Sequence, residues 1–316
     1  MTDALRTPDD RFLDLPDYPF PPRYVETSDG LRMHYAEAGP AGGPVVLLLH
    51  GQPTWSFLYR RIVTSLSEQG IRAIAPDLIG YGKSDKPTDR TAYSLKNHIG
   101  WVSDLVTALD LREVTLVAQD WGGPIGFGTL TRQPDRFARV VAANTILHTA
   151  DDGLAGKLNW AVHGIEGGRV VLQETLVDYL LLCLRTPDLR ASMFVDFATT
   201  STLSAQVLAA YDAPFPDEAH KAGLRQMTAL LPLTRNDAGA GINRASTEFL
   251  RSWRKPFVTA YSDGDPATRG WAEVFQDLVP GAKSQNHVSL IGGHFLQEDA
   301  GAELATVIAG LVLRSG

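Results

Sequence analysis

Continuous apolar runs alternate with amphipathic stretches along both ends of the chain. Val45–His50, Ile71–Ala75, Glu113–Gln119, Arg139–Ala143, Pro256–Tyr261 and His287–Ile291 are short and mostly apolar. Runs of this kind, closed by Gly, Pro or Asp, predict strands buried on both faces. Between them, Phe57–Gln69, Ser94–Asp110, Gly123–Arg132, Trp271–Leu278 and Ala302–Leu313 predict helices. In Ser94–Asp110 the apolar residues Ile99, Val102, Leu105, Val106 and Leu109 fall at helical spacing. Gly70 follows the first helix and suits the left-handed position that ends one. Tyr24–Thr27 and Arg32–Glu37 read as an opening strand pair. The alternation predicts an α/β fold, a mostly parallel eight-stranded sheet with helices on both faces.

The pattern breaks from His148 to Pro216. Val170–Arg185 and Thr202–Tyr211 look helical, and no stretch there reads as a convincing strand. The segment 148–216 is therefore expected to be a helical cap inserted after the sixth strand. Residues 1–147 and 217–316 then form one core domain split around it. That resolves what 316 residues leave open: at ~150 residues per domain the length suggests about two units, and the second is the insertion.

Composition narrows the chemistry. Hydrophobic residues make up 44% and charged residues 21%, so a packed core is expected. Lys+Arg 29 against Asp+Glu 36 leaves a net charge of −7, and no basic run exceeds Arg60-Arg61. A nucleic-acid partner would need a basic face. Cys183 is the single cysteine, so an internal disulfide, a cysteine zinc site and an iron–sulfur cluster are excluded. No apolar run reaches the ~18 residues of a membrane span, and MTDALRTPDDRF lacks the pattern of a signal peptide. The expectation is a cytoplasmic monomer acting on a small molecule, without membrane or nucleic acid.

In open α/β sheets, ligands bind at the carboxyl ends of the strands. Four such ends carry candidates: His50-Gly51-Gln52-Pro53, Asp120-Trp121-Gly122-Gly123, Asp265 and His294. No G-x-S-x-G follows a strand. At the corresponding turn stands Ala118-Gln119-Asp120-Trp121-Gly122, with small residues framing an aspartate. Taken alone, Asp120 could simply cap the next helix. The order Asp120, Asp265, His294 is nucleophile, acid, histidine, as in hydrolases of this topology. Asp263 is a rival for the acid; Asp265 is preferred because it lies farther into its loop and precedes proline. A surface role for His294 is the plain alternative.

Replacing serine by aspartate changes the reaction. A carboxylate with an unperturbed pKa of ~4 is already ionised and attacks without a base. It suits displacement at a saturated carbon and leaves an alkyl ester. Water must then attack that ester, with His294 as base and Asp265 holding the ring. The backbone N–H groups of Gln52 and Trp121 can meet the oxyanion. A halide leaving group needs desolvated donors, and the Trp121 indole N–H only donates; packing beneath the insertion is the alternative role for Trp121.

With these residues placed, the chain resembles the haloalkane dehalogenases of the α/β-hydrolase superfamily. The resemblance rests on LRTPDDRF, LLLHGQPTWSFLYR, IAPDLIGYGKSDKPTDRTAYS, LVAQDWGGPIG, YDAPFPD, PFVTAYSDGDPATRG and GGHFLQED, in order along nearly the whole chain. It fails mainly at about residues 148–205. It implies Asp120 as nucleophile, His294 as base, Asp265 as acid and Trp121 as a halide donor, with no cofactor and no metal. It also implies an apolar cavity under the cap, taking a small halogenated substrate, water and halide. Members use a second donor, and Trp160 resembles the cap tryptophan of one subgroup; Trp160 packing cap onto core is the other reading. Gln52 departs from the usual Glu or Asn. The alternative activity is epoxide hydrolysis by the same triad, with Tyr179 and Tyr211 as the tyrosines in or beside the cap region. Gln119 before the nucleophile and Gln52 in the loop argue against it. Trp121 argues against the fluoroacetate type, which places arginine there. The intact triad argues against a silent binding protein.

Overall fold

The structure, a computed structural model, describes residues 3–151, 162–166, 169–172 and 176–314. Its centre is the expected eight-stranded sheet: β1 Arg23–Glu26, β2 Arg32–Ala38, β3 Val45–Leu49, β4 Arg72–Pro76, β5 Val114–Asp120, β6 Phe137–Thr145, β7 Phe257–Ser262 and β8 Val288–Leu290. In space they run β1-β2-β4-β3-β5-β6-β7-β8. Pairs from β4 to β8 are parallel, and β2 is antiparallel to both neighbours. The order reverses between β3 and β5, where a crevice opens at the strand ends.

Helices α1 Arg60–Glu68, α2 Leu95–Ala108 and α3 Gly122–Arg132 follow β3, β4 and β5. Ile62, Val63 and Leu66 bury the inner face of α1. Gly70 closes it at φ +76°, as the sequence predicts. The Ser94 side chain caps α2 by accepting from the Asn97 N–H.

The insertion differs from the sequence reading. It contains an antiparallel pair, Val162–Glu166 with Arg169–Leu172. The stretch read as one helix, Val170–Arg185, is instead the second of these strands followed by helix α4 Leu176–Arg185. The β-branched Val162, Ile165, Val170 and Val171 favour extended backbone, and Gly167-Gly168 between them is a hairpin signal in the sequence. Helices α5 Ala191–Phe197 and α6 Ala205–Asp212 follow, the latter near its expected span with Ser204 as cap. Beyond Pro216 come two helices the periodicity did not reveal, α7 Ala222–Ala229 and α8 Ala238–Ser252. Glycines and polar residues blur their stripes. The chain ends with α9 Trp271–Leu278, α10 Leu296–Asp299 and α11 Gly301–Leu313. α11 packs on α1, while α2, α3 and α8 form a second helical group. Among the described residues no helix is long and apolar enough to cross a membrane.

Candidate active site

The turn from β5 into α3 holds Asp120 at φ +50°. A non-glycine residue in that region is strained, and its surroundings must impose it. The Thr145 hydroxyl donates to the Asp120 carbonyl at 2.6 Å. A Cβ on Gly122 would stand 2.3 Å from the Leu49 carbonyl oxygen, so glycine there lets α3 start against β3. The Asp120 side chain thereby projects into the crevice, partly exposed at 23%.

The structure brings the other two strand-end candidates to it. His294 Nε2 lies 3.4 Å from Asp120 Oδ2, and Nδ1 lies 2.9 Å from Asp265 Oδ2. Asp265 is buried and also accepts from the Thr268 hydroxyl and the Ala267 N–H. Burial opposes its charge, but His294 and these donors prevail and hold its pKa below the ordinary value. Asp263 is exposed and accepts from the Gly292 N–H instead. Burial also opposes a charge on His294, yet Asp265 and Asp120 outweigh it and push the imidazole up to about 10.

The loop after β3 supplies a donor. The Gln52 N–H meets Asp120 Oδ1 at 2.6 Å. A Cβ on Gly51 would stand 2.1 Å from that oxygen and 2.6 Å from the Trp121 backbone nitrogen. Glycine thus leaves room for the carboxylate to take the Gln52 N–H with the Trp121 backbone nitrogen close by. The Gln52 amide is turned aside: Nε2 donates to the Leu224 carbonyl at 2.7 Å, and Oε1 accepts from the Tyr81 hydroxyl at 2.5 Å. His50 Nε2 accepts from the Leu78 N–H, which leaves Nδ1 to donate to the Gly51 carbonyl. Burial lowers the His50 pKa, consistent with a neutral ring.

A cavity of about 260 Å³ reaches these groups. Gln52, Asp120 and His294 line its polar end, with Phe194, Phe197 and Phe295 among its apolar walls. Trp121 is buried beside Asp120, and no group among the described residues hydrogen-bonds its indole N–H. Trp160 and the Tyr179 side chain lie outside the described residues. Tyr211 is buried and donates to Glu298, not into the cavity.

Sequence reasoning passed over several residues that hold this arrangement. Asn144, at the end of β6, donates to the carbonyls of Gly293 and His294 at 3.0 Å each. Asp299 accepts from the N–H groups of Gly293, Thr200 and Ser201, tying the histidine loop to the insertion. Gln119 touches His294 itself. The sequence reading used Gln119 only against epoxide hydrolysis, although its place beside Asp120 was a signal for this contact; the others are joined to the site only through space.

A family model for the α/β hydrolase fold matches residues 44–300. A haloalkane dehalogenase of Psychrobacter cryohalolentis is 43% identical over 309 residues, covering 96% of each chain. Haloalkane dehalogenase 1 of Mycobacterium tuberculosis is 41% identical over 307 residues, again 96% of each. Among solved structures, the tetrameric haloalkane dehalogenase DpaA of Paraglaciecola agarilytica aligns over 99% of both chains, with TM-score 0.83 and 28% identity.

Proposed function

This chain belongs to the haloalkane dehalogenases, which hydrolyse carbon–halide bonds, and we propose that it does so through an alkyl ester on Asp120. The observation that carries this reading is the strained Asp120 carboxylate facing His294, itself held by Asp265, at the end of a largely apolar cavity.

Asp120 displaces halide from the saturated carbon. One carbon–oxygen bond forms, the carbon–halogen bond breaks, and the electron pair leaves with the halide. Trp121 supports the departing anion through its indole N–H. The ester carries no charge, so His294 loses one of the two anions that favour its imidazolium. It then sheds the proton that accompanies the halide and becomes the base. Water adds to the ester carbonyl and passes its proton to His294. The N–H groups of Gln52 and Trp121 hold the oxyanion, and collapse returns the carboxylate and the alcohol.

Halide release from 1,2-dibromoethane, run beside styrene oxide, tests the activity. Diol from the epoxide with no bromide overturns it. Mass spectrometry of a His294→Phe variant is expected to find Asp120 alkylated. Unmodified protein that still binds substrate contradicts the ester.

Residues 148–216 serve as the cap, and Trp160 is the second halide donor. The engaged Gln52 amide supports that choice over Gln52. If Trp160→Phe leaves halide affinity and turnover unchanged, Gln52 takes the role. A working monomer is the expectation; light scattering tests it. Cell fractionation tests the cytoplasmic location.

A further inference from the structure

Gln119 is the residue before the nucleophile, and its side chain is fully buried. Its amide nitrogen stands 3.2 Å from His294 Nε2 and 3.3 Å from the His294 carbonyl oxygen. Its Oε1 is buried without a hydrogen-bond partner among the described residues.

An amide nitrogen can only donate, and so can the Nε2–H of an imidazolium. The contact is attractive only when Nε2 carries a lone pair. That state is the neutral base with its proton on Nδ1, toward Asp265. Turning the amide over would set Oε1 against the His294 carbonyl oxygen. It would also leave the NH2 group where Oε1 now finds no partner. The carbonyl therefore keeps the nitrogen side of the amide toward the ring.

We propose that Gln119 is a positioning residue that stabilises the neutral form of His294 while the Asp120 ester awaits the water that will hydrolyse it. The inference rests on the ester mechanism above. The titratable groups facing the ring are Asp265 at Nδ1 and Asp120 at Nε2. The elements around them bring neutral contacts: Asn144 from β6 reaches the His294 carbonyl, Ala198 beyond α5 accepts the His294 N–H, and the Phe295 ring stands edge-on at 4.9 Å. Asp299 is spent on backbone N–H groups. Both facing carboxylates favour the imidazolium. Esterification silences Asp120, and Gln119 then offers Nε2 a donor matched to the lone pair.

The test separates the two half-reactions over a pH series. Gln119→Met keeps the length and removes the donor. In single turnovers of 1,2-dibromoethane, its bromide burst is expected to match wild type. The acid limb of alcohol release is expected to move up by about 0.5–1 pH unit, the loss of one hydrogen bond to the neutral form. An unmoved or lowered limb overturns the proposal, as does equal slowing of both steps at every pH. A second measurement needs no turnover. With Asp120→Asn as a neutral stand-in for the ester, the His294 pKa is read by NMR with and without Gln119→Met. It is expected to rise by the same amount in the double variant, and no rise overturns the proposal. Failure of the ester reading is distinct: wild type would then give no bromide burst, whatever the NMR titration shows.

Discussion

At the scale of single residues, the proposed mechanism makes His294 the group expected to set the pH behaviour. In the resting enzyme it is pushed up to about 10 by Asp265 and Asp120 against the opposing cost of burial. On the proposed mechanism the ester removes the Asp120 charge, so His294 titrates lower when water must be activated. Alcohol release in single turnovers is therefore expected to reach its plateau well below pH 10, while NMR of the free enzyme finds His294 titrating near that value. A plateau that tracks the resting titration would refute this. Tyr81 offers a second residue-scale prediction. Its hydroxyl is a donor to Gln52 Oε1, and the Gln52 N–H donates to Asp120 Oδ1, where the proposed mechanism places the oxyanion. Tyr81→Phe is expected to lower kcat by up to about tenfold, or ~1.4 kcal/mol, with little change in KM. Steady-state bromide release checks it, and a change in KM alone would place Tyr81 in binding instead.

At the scale of elements, the β5–α3 turn depends on the absence of a side chain. A Cβ on Gly122 would press on the Leu49 backbone, which has no flexible end to move. Gly122→Ala is expected to cost about 1–3 kcal/mol of stability and to cut halide release more steeply than a surface Gly42→Ala control, where a Cβ meets nothing. Thermal melts and turnover on both variants decide it. The same turn shows what was readable in advance. Ala118 and Gly122 around Asp120, and the chain order Asp120, Asp265, His294, singled out from residue identity alone three side chains that the fold brings together. The strands were readable because their runs are apolar on both faces. The insertion was not. Its hairpin rests on pairing between Val162–Glu166 and Arg169–Leu172, and Val170 and Val171 fit a helical stripe as readily as a strand. α7 and α8 were missed for the reason already visible in their glycines.

At the scale of the molecule, one buried ion pair joins three distant parts of the chain. Arg60 on α1 donates twice to Glu298 on α10, at 2.6 and 2.9 Å, and Tyr211 on α6 donates to the same carboxylate at 2.5 Å. Glu298→Gln leaves the Arg60 charge buried and uncompensated. It is expected to destabilise the fold by about 3–5 kcal/mol, whereas Tyr211→Phe costs about 1 kcal/mol. Urea denaturation distinguishes them, and equal small losses would contradict the buried-charge argument. The pH dependence of stability also belongs here. His294 titrates at about 10 folded against 6.5 in the unfolded reference. Its contribution is full below 6.5 and is lost as pH rises toward 10. Asp77, lowered to about 2 from 3.8 because His34 and backbone donors outweigh its burial, contributes above 3.8 and loses it toward 2. Melting temperature is expected to decline above pH 6.5, and His294→Phe to flatten that decline.

From its own residues the chain determined the sheet and the reaction class, because apolar runs and an aspartate framed by small residues at a strand-to-helix turn are local facts. Partners were decided only by tertiary structure. The loop choice of Asp265 over Asp263, the turning aside of the Gln52 amide by Tyr81 and Leu224, and the contact of Gln119 with His294 all join residues far apart in sequence. A side chain's type states what it can donate or accept; which atom it meets is settled when the strands bring their ends together.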